Sequence, residues 1–289
     1  MANPEMTWRH PVRERLDAGL PVLALTVTNP NAEVAAHIAR LGFHLLWVEM
    51  EHSPITLESL RNIVLSTRGL PASIFARVTV NELWTAKRVL DQGVSGVIFP
   101  FTSTPELARQ AAQSCRYPPL GRRGSGAGAA IATWPGTGNY YDSADANVMV
   151  VAVIEDRPGL ENIDEIAATP GVDVIFVGTS DLAFSLGERG NQQSPVVRAA
   201  LQRIGDAARR HGKPLGRPAV TPSQVRECLD DGFLFIQTVT ELGLLTAGSR
   251  DLLKEVSNAE SAADLAGRGS DALQNSGLIR RRTKAADGQ

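Results

Sequence analysis

Eight short apolar runs, each followed by a stretch with helical periodicity, constrain this chain more than any other feature. They are "PVLALTV" (21–27), "FHLLWVE" (43–49), "ASIFARV" (72–78) and "SGVIFPF" (95–101), then "VMVVAVIE" (148–155), "VDVIFVG" (172–178), "KPLGRPA" (213–219) and "FLFIQTV" (233–239). Most are apolar at successive positions, as in parallel strands covered on both faces. Between them lie "NAEVAAHIARLG", "TLESLRNIVLSTRG", "NELWTAKRVLDQG" and "TPELARQAAQSC". Several begin with Asn or Thr as an N-cap and end near Gly. In "DQGVSGVIF" and "DDGFLFIQ" a helix stops at Gly and feeds the next strand. Eight strand–helix units in order predict an α/β fold, a single (β/α)8 TIM barrel over residues 1–257. The rival is a doubly wound open sheet. It would often carry a Gly-rich phosphate loop after its first strand, and "TVTNPNAE" is not one.

Two segments depart from this rhythm. Residues 117–147, "YPPLGRRGSGAGAAIATWPGTGNYYDSADAN", are rich in Gly and Pro, and an excursion of this length predicts a functional or disordered segment. From Asn258 to the end the chain is polar and small-residue-rich, and is expected to be a flexible tail (258–289).

Bulk properties exclude some partners. The 289 residues are 43% hydrophobic and 21% charged, with a net charge of -2. That balance gives no electrostatic basis for binding nucleic acid or an anionic membrane. No apolar run approaches the roughly 20 residues of a membrane span, and "MANPEMTWRH" lacks a signal-peptide pattern. Cys115 and Cys228 are far apart and fit no metal or redox motif. They read as reduced thiols of a cytoplasmic protein.

In a barrel of this type, catalytic groups gather where strands end and βα loops begin. The second run ends in Glu49, Glu51 and His52, the third in Arg77 and the fifth in Glu155, and the sixth leads into "VGTSDL" with Asp181. Each has a plainer reading: a solvated turn histidine, a surface arginine, an exposed strand-end acid, a first-turn helix acid. Together they place an imidazole, a guanidinium and several carboxylates at one mouth. Glu155 and Asp181 would make a hard oxygen site suited to Mg²⁺, Mn²⁺ or Co²⁺ better than Zn²⁺. Arg77 would hold an oxyanion or carboxylate bidentately. His52 is the candidate base and Glu49 a candidate to set its tautomer. The backbone N–H groups of Thr179, Ser180 and Asp181 would hold a substrate carboxylate. Lys87, Lys213, Lys254 and Lys284 are all badly placed for a Schiff base in the mouth, so an aldolase on this frame would need a metal.

The blocks "WVEMEHSP", "ARV" at Arg77, "YPPLGRRG" and "VIEDRPGLENIDEIAATPGVDVIFVGTSDLAFSLG" resemble the HpcH/HpaI family of metal-dependent pyruvate aldolases. The resemblance runs from 21 to 256. It implies a barrel whose last helix is exchanged between subunits, and a homo-oligomer, trimer or hexamer. It implies Glu155 and Asp181 as metal ligands, Arg77 on the keto or enolate oxygen, His52 as base and Glu49 as its orienter. Asp91 matches an aspartate that supports the site near a subunit contact, and Arg123 falls in the "PPxGxRG" loop. Pro218 stands at the strand end that lines the aldehyde entrance. The chain departs from the family at Glu49, where Asp is usual, at Met50, where a small residue is usual, and at Val153, where some members are polar.

The implied reaction is formation or cleavage of a 4-hydroxy-2-oxo acid, to or from pyruvate and an aldehyde, through a metal-stabilised enolate. Two rivals stay open: a CoA-ester lyase or oxaloacetate decarboxylase on the same barrel, and a non-catalytic barrel used for binding or assembly.

Overall fold

Side chains alternate between the two faces of a strand, so each apolar run has two faces to cover. In the computed structural model, which describes residues 8–134 and 139–259, that demand is met by closure. The strands are β1 (Val22–Val27), β2 (Leu45–Glu49), β3 (Ser73–Arg77), β4 (Gly96–Phe99), β5 (Met149–Ile154), β6 (Val174–Val177), β7 (Leu215–Pro218) and β8 (Phe233–Thr240). Each pairs in parallel with the next, and β8 returns to β1, giving a closed eight-stranded barrel. The open-sheet alternative is thereby removed.

The helices of the first half are α1 (Pro11–Asp17), α2 (Ala32–Ile38), α3 (Leu57–Ser66), α4 (Leu83–Asp91), α5 (Pro105–Ser114), α6 (Gly128–Thr133) and α7 (Tyr140–Asn147). They continue as α8 (Arg157–Glu161), α9 (Ile163–Ala167), α10 (Thr179–Ser185), α11 (Pro195–Arg210), α12 (Pro222–Asp230) and α13 (Glu241–Ala259). Asn31, Thr56 and Thr104 cap α2, α3 and α5 through their side chains, as expected. Asn81 does not cap α4. The N-cap there is Glu82, and the Asn81 amide donates to Leu107 O instead. The Gly- and Pro-rich excursion is not structureless, because it folds into α6 and α7.

Alternation sorts the core in two. Leu45, Trp47, Phe75, Ile98, Val151, Val153, Phe176 and Phe235 fill the barrel interior with Ala24, and Val12 and Leu16 of α1 join them. The other parity, including Leu46, Val48, Ala76, Val150, Ile154 and Val177, packs outward under the helices. Burying a side chain such as Phe75 or Leu45 contributes roughly 1.5–3 kcal/mol. Gly96 makes the aromatic interior possible, since a Cβ there would lie 2.6 Å from the Phe75 ring. Carried one step past the apolar layers, the same parity turns Glu49, Arg77 and Glu155 inward, two residues beyond Trp47, Phe75 and Val153.

The chain divides into two compact units, Met1–Leu242 and Gly243–Gln289. The first contains the whole barrel sheet. The second begins inside α13, earlier than the tail boundary read from composition, and residues 260–289 of that tail lie outside the described residues. Among the described residues no helix is long and apolar enough to cross a membrane. Cys115 and Cys228 are both free and buried.

Candidate active site

Glu49 and Arg77 are register partners where β2 meets β3, so their side chains leave neighbouring strands side by side. Arg77 Nε donates to Glu49 Oε2 at 2.7 Å, and Trp47 Nε1 donates to the same oxygen at 3.2 Å. The other oxygen, Oε1, accepts the backbone N–H of Glu51 at 2.7 Å and of His52 at 3.0 Å. The Ser53 hydroxyl donates to the Glu49 carbonyl and closes this turn. A carboxylate 3% exposed is thus saturated by four donors, one of them a cation.

This corrects the expected role of Glu49. It holds the backbone of the 49–52 turn and the Arg77 guanidinium, and its contact with His52 is to the amide, not the ring. The acid beside the imidazole is Glu51, whose Oε2 lies 3.8 Å from His52 Nε2. The same oxygen is 3.0 Å from Arg77 Nη1, an ion pair in distance, yet buried and without a properly directed hydrogen bond. Burial raises the Glu51 carboxyl above its ordinary range, Arg77 and His52 pull it back, and Glu49 and Asp181 add repulsion. The His52 side chain stands 64% exposed on the rim.

Arg77, Glu155, Thr179, Ser180, Asp181 and Pro218 line one cavity of about 370 Å³ at the C-terminal ends of the strands. Trp47, Val153 and Phe176 contribute apolar wall, and Gln192 and Gln237 contribute polar wall. Glu155, 2% exposed, accepts the Phe101 N–H at 2.7 Å. Its carboxyl is pushed up to about 7, first by burial and further by Glu51 and Asp181, against the pull of the Phe101 N–H and Arg77. Gly178 makes room for it, because a Cβ at 178 would come 2.6 Å from Glu155 Oε2.

Phe101 escaped the sequence reading. It is a non-glycine residue at φ 43, a left-handed conformation that costs free energy and recurs at functional sites. That conformation aims its N–H at Glu155. A backbone donor is independent of residue type, so composition carried no signal of it.

A divalent cation suits this donor set. Glu155 is buried with one N–H donor and no cation of its own, Glu51 has an unsatisfied buried oxygen, and three acids repel one another across a small space. Among the described residues no three His, Cys, Asp or Glu side chains form a complete ligand group. Glu155 and Asp181 both line the cavity, the two carboxylates that such an ion would meet there.

Asp91 is not brought to the mouth. It ends α4, which leads back to the start of β4, and its Oδ1 is 3.4 Å from Arg123 Nη2. Arg123 is buried and lies over the Tyr117 ring at 4.7 Å. The "GRRG" loop thus has Arg123 turned inward, away from any solvent-borne phosphate. Lys87 and Lys213 do not line the cavity, and Lys213 donates to Val172 O at 2.7 Å.

Residues 24–247 match the HpcH/HpaI aldolase/citrate lyase family. The chain belongs to that family. It is 37% identical over 214 residues to the 5-keto-4-deoxy-D-glucarate aldolase of Klebsiella pneumoniae, covering 73% of this chain and 82% of the relative. It is 36% identical over 226 residues to that of Shigella boydii, covering 78% and 87%. An HpcH/HpaI aldolase/citrate lyase family protein from Burkholderia cenocepacia superposes with a TM-score of 0.78 at 30% identity, covering 85% of this chain and 98% of that one. As a member of this metal-dependent family the chain is an enzyme, a carbon–carbon lyase of the aldolase type.

Proposed function

We propose that the HpcH/HpaI chain cleaves a 4-hydroxy-2-oxo acid to pyruvate and an aldehyde, and runs the reverse condensation, at the cavity lined by Arg77, Glu155 and Asp181. The carboxylated sugar acid named for its relatives, 5-keto-4-deoxy-D-glucarate, belongs to that class of substrate. One observation carries the reading: the buried, cation-poor Glu155, the exposed Asp181 and a held arginine face one small cavity at the strand ends.

Glu155 and Asp181 would hold Mg²⁺, Mn²⁺ or Co²⁺, which when bound supplies Lewis acidity toward the 2-oxo group. Arg77, fixed by Glu49 and Glu51, presents its remaining donors to the oxygen on which charge develops. The N–H groups of Thr179, Ser180 and Asp181 open α10 behind Gly178, which has no side chain to cap them, and they receive the substrate carboxylate. In cleavage, His52 takes the C4 hydroxyl proton as the C3–C4 bond breaks, and a proton returned to C3 completes pyruvate. Glu51, next to the imidazole, steadies its protonated form. Pro218 and Val153 shape the side on which the aldehyde leaves. A homo-oligomer, trimer or hexamer, is part of the same reading, supported by Leu245 and Leu252 exposed on α13.

Pyruvate methyl deuterium exchange tests the site apart from any aldehyde. Glu155→Ala and Asp181→Ala are expected to abolish metal-dependent exchange while far-UV circular dichroism stays that of the wild type. Wild-type exchange in both variants defeats the assignment.

A further inference from the structure

We propose that the cleft between α11 and α12 is a second binding site, for a small carboxylate with an apolar body. Helices normally seal the outer face of a barrel sheet. Here a cavity of about 270 Å³ opens between these two helices and reaches Leu215 and Phe233, both outward-facing. Gly205 flattens the α11 wall. A Cβ there would meet Leu215 Cδ1 at 3.5 Å and the Arg209 guanidinium at 3.5 and 3.6 Å, so the glycine lets both side chains lie against the helix.

Arg209 at this cleft pairs with Asp206, but other charges around it are left without an ion pair. Arg217 follows Gly216, whose missing Cβ faces Phe176 and Phe235 inside the barrel, so Arg217 leaves β7 by the outer face. Its guanidinium lies 5.5 Å over the Phe233 ring, and its Nε is buried without a partner. A guanidinium over an aromatic ring keeps its N–H donors for a carboxylate. Arg198 lines the same cavity. On the α12 side stand Glu227 and Asp231. Among the described residues neither acid comes within ion-pair distance of Arg198 or Arg217. The fold thus keeps opposite charges apart across an apolar floor. A single carboxylate satisfies Arg217, and the facing acids disfavour a second negative charge on the ligand. Arg217, Gln192 and Gln193 line the mouth cavity as well, so the cleft adjoins it, and the cleft needs no metal. Gln192 forms part of the wall between the two cavities, its Oε1 accepting the Thr179 hydroxyl at 3.0 Å.

The probe is benzoate, a monocarboxylate with a flat apolar body, compared with neutral benzamide of the same shape. Both are titrated into the full-length protein by calorimetry and by ligand-observed NMR. Benzoate is expected to bind saturably and at least about tenfold more tightly than benzamide, as a charge-assisted guanidinium pair requires. Arg217→Met keeps an apolar stem on Phe233 and should cut benzoate affinity about tenfold or more. Glu227→Gln should tighten it a few-fold, a gain that misfolding cannot imitate. Absence of saturable benzoate binding, equal binding of benzamide, or unchanged affinity in Arg217→Met overturns the proposal.

Discussion

Glu49 shows how one methylene can change what a side chain is for. A carboxylate close to the strand is placed to meet the imidazole three residues on. The longer Glu49 reaches across the register to Arg77 and down to the Trp47 indole, and caps the 49–52 turn with its other oxygen. Its task is to hold the arginine. Glu49→Gln puts an amide nitrogen where two donors now converge, or turns its oxygen away from the turn, and in either case releases Arg77 by a fraction of an ångström. A loss of about 10²-fold in the rate of pyruvate exchange is expected, the scale of a small misplacement of a reacting group. Trp47→Phe removes one donor and keeps the charge pair, so it should cost far less. Equal losses in the two variants would mean that the indole N–H, and not the Arg77 pair, is what matters. His52 is tested separately. His52→Asn should lower exchange by about 10²–10⁴-fold, the usual worth of a positioned proton-transfer group, and leave pyruvate affinity close to wild type.

At the scale of elements, strand parity made most of the site legible. Seven of the eight strands lie within the apolar runs and β8 extends one residue past its run, to Thr240, and counting in twos past Trp47, Phe75 and Val153 leads to Glu49, Arg77 and Glu155. β7 is shorter than its run. The run was expected from 213, but Lys213 N turns back to Ala208 O after α11 and pairing in the strand begins at Leu215. Asp91 matches an aspartate near a subunit contact, and within one chain it lies at the end of a barrel helix, which points to the opposite rim from the end of a strand. The partner of the His52 ring could not be read at all, because Glu49 and Glu51 share one parity and only the turn decides between them. Element geometry also carries a prediction at β6. Glu155 occupies space left by Gly178, where a Cβ would fall 2.6 Å from Oε2 and 2.7 Å from Glu155 Cβ. Gly178→Ala must therefore push the carboxylate aside. Mn²⁺ affinity, read by electron paramagnetic resonance, should fall about 10–100-fold, as when the supports of metal ligands are disturbed. The barrel should still close, since β6 ends at Val177. Unchanged affinity would show that Glu155 does not hold the metal.

For the molecule as a whole, the mouth and the base of the barrel respond to pH in opposite senses. The base is closed by α1, whose N-cap His10 is fully buried, 5.5 Å from the Phe75 ring. Its Nδ1 accepts the Val12 N–H at 3.1 Å, its own N–H donates to Asn147 Oδ1, and its Nε2 is buried without a partner. Burial, helped by Arg13, lowers the His10 pKa to about 3. Below the unfolded value of about 6.5 the unfolded chain carries a proton that the folded base rejects. Stability from this group is therefore complete above about pH 6.5, is lost as pH falls, and stops changing below about 3. The mouth behaves in the reverse sense. Glu155 is raised to about 7, so between about 4.5 and 7 the folded state binds the extra proton and stability falls as pH rises. The two slopes partly cancel in the wild type, and a simple pH profile would hide both. His10→Asn separates them, because asparagine can still cap α1 but does not titrate. The variant loses ring packing by an amount independent of pH. Relative to it, the wild type should lose about 2 kcal/mol between pH 7 and pH 5, near the limit of about 1.4 kcal/mol per pH unit for a single proton. Urea denaturation at both pH values measures this directly. Parallel pH profiles for the two proteins would show that the base of the barrel admits the charged ring, and that the seal made by α1 is looser than the packing of His10 against Phe75 requires.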